Sequence, residues 1–207
     1  MRPEWRVACV RIPRFPVGAL VEARAAGAAG AAAACPLGGP WPDAEGQLEL
    51  LPPEPRAAGA AGATPNDGAA APHWDDRPLA LAEPGDARER LRAVTAAAGR
   101  AGVRAGMTAT EARARCAALE VLPWDAAAVE RAVTQTTAAL LVASPQVTPV
   151  AGAPGMWWVG AGGLAHVGGE RALVRALVRI AGAWHPRARV AVADSCVAAR
   201  AATGADA

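Results

Sequence analysis

The residues in this chain whose types and spacing could do chemistry are arginines, two adjacent tryptophans, a Ser-Cys step beside an acid, and glycine-rich turns. Arg104 lies inside a Gly-Val-Arg-Ala-Gly-Met run, and Arg113 and Arg115 follow in a stretch of helical composition. A guanidinium makes charge-assisted, often bidentate bonds to phosphate, so these three are candidates for contacting a nucleic-acid backbone. A solvated helix face is the alternative. Arg171, Arg175 and Arg179 recur every four residues, and a solvated face is again the plain reading. Trp157 and Trp158 are adjacent in an apolar run that reads as a strand, so their side chains point to opposite faces. One belongs in the core, and the other is a candidate partner anchor. Ser195 and Cys196 follow Asp194, but no His stands at a motif spacing for nucleophilic catalysis. Gly152–Gly155 and Gly160–Gly163 are glycine-rich, yet the chain has no lysine, so neither is a phosphate-binding P-loop and both read as turns. Cys9, Cys35, Cys116 and Cys196 form no CxxC pair, and His73, His166 and His185 stand apart from them, which argues against zinc. These residues predict no catalytic group, no metal site and no cofactor.

The whole-chain charge of +2 over 207 residues creates no field that would by itself draw a polyanion, so any nucleic-acid contact must rest on local patches. All 21 basic residues are Arg, Tyr is absent and Phe occurs once, in a chain rich in Ala and Gly. That pattern reads first as codon composition. Scattered single cysteines fit a reducing cytoplasm. No apolar run reaches the length of about 18 residues that a membrane span needs. Glu22 and Arg24 interrupt the stretch where a leader peptide would carry its apolar core.

The elements that must position these residues follow from periodicity. Residues 5–12 read as a strand stopped by Pro13, with a short helix over 17–26. Residues 27–76 are dominated by Ala, Gly and Pro and bury too little to offset their ordering entropy, so they read as a disordered insertion, with one strand possible around Leu48–Leu51. Pro78–Ala82 suits a strand, and Ala87–Ala101 a helix ending at Gly102. Thr108 and Glu111 form a capping-box pattern opening a helix to about Cys116, followed by a strand at Leu119–Leu122. Asp125 caps a helix over 126–143 with Val129, Val133, Ala138 and Leu141 as core positions. Two strands at Val147–Val150 and Met156–Val159 flank a Gly/Pro turn. A helix over 170–184 has Leu173, Leu177 and Ile180 on its apolar face, a strand covers Ala188–Ala193, and a last helix starts near Ser195. Four segments result: 1–26, the insertion 27–76, a largely helical 77–143, and 144–207. The fold class is α+β.

At residues 102–122 the pattern resembles the fingers of Y-family DNA polymerases: Gly102-Val103-Arg104-Ala105-Gly106-Met107, then Glu111-Ala112, Cys116, and the apolar Leu119–Leu122. Val7–Phe15 is similar to that family's first palm strand, Met156–Gly169 to its palm hairpin, and Ala188–Asp194 to its next palm strand. Within the group, Ile12-Pro13-Arg14-Phe15-Pro16 and Gly162-Gly163-Leu164-Ala165-His166-Val167-Gly168-Gly169 resemble the ImuB-type mutasome subfamily, with His166 displaced by one. The resemblance implies an antiparallel-rich, mixed palm sheet with helices on one face and a small helical fingers lobe over 77–143. It implies that 144–207 completes a palm without thumb or little finger.

The resemblance also says what should be missing. Active members place an Asp at the end of the first palm strand and an Asp-Glu pair at the hairpin, where they hold two cations. Anchored on Phe15, the first position is Arg11; anchored on Glu22, it is Pro13. Val147–Gly163 contains no Asp or Glu, and Val159 stands where related chains often keep an Asp. The family's Tyr-x-Ala-Arg segment falls on Ala96, Ala98 and Gly99, with Arg100 one position away. The expectation is a non-catalytic accessory or adaptor in damage-induced translesion synthesis. Its implied partners are damaged or primer–template DNA, the replication clamp and an error-prone polymerase. A truncated fragment of a longer protein and an atypical active polymerase are the alternatives.

Overall fold

The computed structural model describes residues 5–28, 73–83, 90–163 and 168–204. Most of the span read as an insertion, including Leu48–Leu51, and the His166 segment lie outside them. The described residues form two sheets. The larger is antiparallel throughout, in the order β5(Val147–Pro149), β6(Met156–Gly160), β1(Val7–Arg11), β7(Arg189–Ala193). The smaller is mixed: β2(Leu79–Ala82) pairs antiparallel with β3(Leu91–Val94) and parallel with β4(Glu120–Pro123).

Strand alternation sorts β1 between two layers. Ala8 and Val10 face a core filled from α1(Phe15–Ala28), α4(Ala126–Leu141) and α5(Gly169–Trp184), with Phe15, Trp157, Leu140, Leu177 and Trp184 at its centre. Cys9 faces the other side, where the short α6(Cys196–Ala202) brings Ala199 against it. Phe15 organises the main core, its ring meeting Trp157 edge-on at 5.2 Å and Trp184 at 4.9 Å.

Helix termini follow their local chemistry. Thr108 and Glu111 complete the expected capping box on α3(Ala109–Arg115), the Glu111 amide donating to Thr108 Oγ1 at 3.2 Å. Replacing Thr108 with Ala should cost about 1 kcal/mol of that helix's stability. Amide exchange within α3 should then quicken about fivefold, and unchanged exchange would contradict the cap. Asp125 caps α4 by accepting the Ala128 amide at 3.0 Å, and Ser195 caps α6 by accepting the Ala198 amide at 3.2 Å.

Three expectations are corrected. The helix read over Ala87–Ala101 is, in its described part, β3 followed by the short α2(Ala96–Arg100). Pairing of Leu91, Ala93 and Val94 with β2 overrides the helical propensity of the run. Thr95 then breaks the strand: its hydroxyl accepts the Leu79 amide at 3.0 Å and the Ala98 amide at 3.3 Å. Second, the buried face of α4 is Val129, Ala132, Thr136, Ala139 and Leu140. Ala138 is half-buried and Leu141 is 46% exposed, because both lie round the helix from that 3–4 repeat. Although α4 falls within the span read as fingers, it packs on α1, α5 and β5. Third, the insertion's last residues carry a 3-10 turn, Trp74–Asp76, with Trp74 and Asp75 buried. Trp74 sits against Gly18, where an added Cβ would stand 2.8 Å from the indole.

Candidate functional site

The end of β1 is where the elements converge. Arg11 closes the strand, paired in register with Met156 on one side and Arg189 on the other. Its guanidinium donates to the Gly204 carbonyl, and Arg189 donates to the Thr203 carbonyl at 3.2 Å. Two cations thus sit at the C-terminus of α6, where unsatisfied carbonyls concentrate negative partial charge. Pro13 lies just beyond in the turn. The Ile12 amide donates to the Gly155 carbonyl at 2.8 Å, fastening the β5–β6 turn to the β1–α1 turn. Gly155 has φ +101°, and a Cβ there would lie 2.6 Å from Phe15 Cβ and 2.7 Å from the Ile12 oxygen, so only glycine allows this closeness. On the sheet's α6 side, burial pushes the Cys9 thiol up against the lowering influence of Thr203, Arg11 and Arg200, so it stays protonated at neutral pH.

The buried carboxylate near this junction is Asp75, and its oxygens are committed. Its Oδ1 accepts the Ala96 amide at 2.8 Å and its Oδ2 lies 3.2 Å from His185 Nε2 and 3.5 Å from Arg14 Nη1. The Arg187 amide donates to His185 Nδ1 at 3.0 Å, which leaves the hydrogen on Nε2 to donate to Asp75. The Asp75 amide donates in turn to His73 Nδ1 at 3.2 Å. Burial acts to raise the Asp75 pKa, but the bonds from His185 and Ala96 and the Arg14 charge outweigh it, so the net shift is downward. Arg14 occupies the left-handed region at φ 52°, held there by this ion pair and by the Val17 amide donating to its carbonyl at 2.9 Å.

This network escaped the reading of the sequence because Asp75 and His73 sit at the end of a low-complexity stretch. The available signal was His73-Trp74-Asp75-Asp76, a cluster of large and charged residues in an Ala/Gly/Pro background.

The arginines at the expected nucleic-acid face are exposed and gather around the fingers turn. Arg104 folds back to donate to the Gly99 carbonyl at 2.6 Å, and Arg115 donates to the Gly102 carbonyl at 3.4 Å. Arg90 joins them, donating to the Gly106 carbonyl at 2.8 Å. Each bond uses one corner of a five-donor guanidinium and leaves donors facing solvent. Arg113 is exposed on α3. Trp157 is fully buried, with its Nε1 donating to Thr137 at 2.9 Å, so it is core and offers no surface. Trp158 points the other way and is half-buried beside Cys9, Met156 and Ala199. The two rings thus lie on opposite faces of β6: Trp157 is the core member of the pair, and Trp158 is the one left as a candidate partner anchor.

A cleft of about 640 Å³ opens between the N-terminal half of α4 and the β5–β6 turn. Its wall is apolar, with Trp124, Val129, Val133, Val150 and Met156, and its polar side chains apart from indole N–H are Glu130 and Thr134. That lining offers a contact surface and no acid–base pair.

The model of the impB/mucB/samB family matches residues 67–204 of the 207. No match is found among curated proteins. Among solved structures the chain is similar to a DinB from Sulfolobus solfataricus, with 12% identity, TM-score 0.58, and coverage of 96% of this chain and 45% of that one. It is similar to a Dbh ternary complex at 13% identity and TM-score 0.58, covering 96% and 44%. It is also similar to a Y-family DNA polymerase chimera at 13% identity and TM-score 0.51, covering 90% and 41%. At these identities the likeness is one of fold: an α+β, Y-family polymerase-like palm and fingers. The chain spans less than half the length of these neighbours. The divalent cations that the family resemblance implies do not suit the donor set found here, since the end of β1 presents a guanidinium and the β5–β6 hairpin has no carboxylate. Among the described residues no three His, Cys, Asp or Glu side chains are grouped to hold a metal ion, and no helix is long and apolar enough to cross a membrane.

Proposed function

The chain belongs to the impB/mucB/samB family, and from that premise we propose that it is a non-catalytic, Y-family polymerase-like palm and fingers acting in DNA damage tolerance as an accessory or adaptor. The observation that carries this reading is Arg11. Active members end the first palm strand with a metal-binding Asp, whereas here that strand ends in a cation bonded to the carbonyl end of α6. Two-metal phosphoryl transfer needs carboxylates to neutralise and place both cations. A fixed guanidinium raises the electrostatic cost of bringing them in. Val159, Pro154 and Gly155 leave the hairpin without a carboxylate to compensate.

In this reading the fingers arginines Arg104, Arg113 and Arg115 contact the DNA backbone, and Trp158 on the α6 side of the sheet contributes to a protein partner surface. The replication clamp and an error-prone polymerase are the partners that the ImuB-type resemblance supports. Primer extension on a templated duplex with Mg²⁺ or Mn²⁺ tests the proposal. No templated incorporation is expected above a protein-free control. Incorporation that follows the template would establish the atypical active polymerase instead.

A further inference from the structure

The outer face of α5 carries Arg171, Arg175 and Arg179, all exposed, on the opposite side of the helix from buried Leu173 and Leu177. Steps of four residues set the three Cα atoms about 6 Å apart along one line. The one acid on the helix, Glu170, is engaged with Arg6 at 3.1 Å and does not neutralise the stripe. Two like-charge pairs at this spacing weaken a helix by about 0.2–0.5 kcal/mol each, so the stripe does nothing for folding. It also lies on the core-helix side of the palm sheet, away from Arg11 and α6.

We propose that this face of α5 binds the sugar–phosphate backbone of a nucleic-acid strand, as a second contact separate from the fingers arginines. A line of guanidiniums suits the line of phosphates along one strand, because each guanidinium can make charge-assisted bonds to a phosphate. Val178 is the large apolar side chain exposed on α5 beside the stripe, and among the described residues no exposed aromatic side chain lies on this helix for a base to stack on. The contact therefore carries charge without sequence preference. The proposal rests on the nucleic-acid side of the functional reading but uses a different surface.

The test is fluorescence anisotropy of the full 207-residue chain with a labelled 30-nucleotide single-stranded DNA across a salt series. Two triple variants are compared with the parent: R171Q/R175Q/R179Q and R104Q/R113Q/R115Q. The α5 variant is expected to bind at least tenfold more weakly at low salt. Its slope of log affinity against log salt should be shallower by about 2, since each single-strand phosphate contact contributes about 0.7. Its thermal midpoint should be unchanged or slightly raised, which separates lost binding from lost folding. Parent-like affinity and slope in the α5 variant, with loss confined to the fingers variant, would sink this proposal and leave the functional reading standing. Parent-like binding by both variants would sink both. Arg-dependent binding to phosphatidylserine vesicles or to an acidic peptide, with none to DNA, would assign the stripe to another polyanion and overturn the proposal.

Discussion

Replacing Asp75 with Ala is expected to lower stability by about 3 kcal/mol, read as a fall in the urea midpoint with little change in slope. The size comes from what the carboxylate holds. Its loss leaves the buried His185 Nε2–H without its acceptor, takes the side-chain acceptor from the Ala96 amide at the start of α2, and strips Arg14 of the counter-charge at its left-handed backbone. Buried donors left unsatisfied cost about 1–3 kcal/mol apiece, and the loss of one partner of a buried ion pair about 3–5. The change also joins three parts of the chain: the β1–α1 turn, the 3-10 turn before β2, and the end of α5. An exposed pair such as Arg92–Glu83 at 2.8 Å offers the contrast, since both side chains are about half exposed and its removal should change stability by well under 1 kcal/mol.

The same site predicts a pH dependence with a definite sign. Because the folded chain depresses the Asp75 pKa, the unfolded chain binds more protons in acid. The stability Asp75 contributes is therefore fully present above the ordinary Asp value of about 3.9 and is lost as pH falls through the lower folded value. The gap between the parent chain and Asp75→Ala should accordingly be constant between pH 6 and pH 8 and shrink below about pH 4. A gap that stays constant into strong acid would show that packing, and not charge, sets the cost.

Much of the fold was legible because it is written locally. The capping box at Thr108, the Asp125 cap and the 3–4 repeat of Leu173 and Leu177 each require only a few adjacent residues, and all three elements formed where expected. The failures have one cause in common, which is that the deciding partner is distant in sequence. β3 exists because β2 lies beside it, and an isolated reading of Ala87–Ala101 sees only helix formers. The face of α4 is set by what it packs on: Val129 is buried as expected, but Ala139 and Leu140 take the core places read at Ala138 and Leu141. For the site, residue types were enough to say that the end of β1 lacks a carboxylate. They could not show that Arg11 is bonded to the end of α6, since Gly204 lies at the far end of the chain. The Asp75–His185 pair also joins distant parts of the sequence, 110 residues apart, and no spacing rule connects its members.

Trp157 and Trp158 supply the second large effect, and the difference between them is the informative part. Trp157→Ala should cost about 4 kcal/mol, the range for emptying a fully packed aromatic site. Its indole is completely buried, meets Phe15 edge-on, and donates to Thr137. The vacated volume cannot close easily, because Phe15 is itself fixed between Trp157 and Trp184 and abuts the tight approach at Gly155. Trp158→Ala removes a half-buried ring from the α6 side of the sheet and should cost about 1–2 kcal/mol. Chemical denaturation of the two variants should separate their midpoints clearly, with Trp157→Ala the lower. Equal losses would mean that the β6 alternation places the two rings in equivalent surroundings, and Trp158 would then be a core residue with no surface left for a partner. If the losses separate as expected, Trp158→Ala becomes the variant for testing partner binding, because the protein that carries it remains folded.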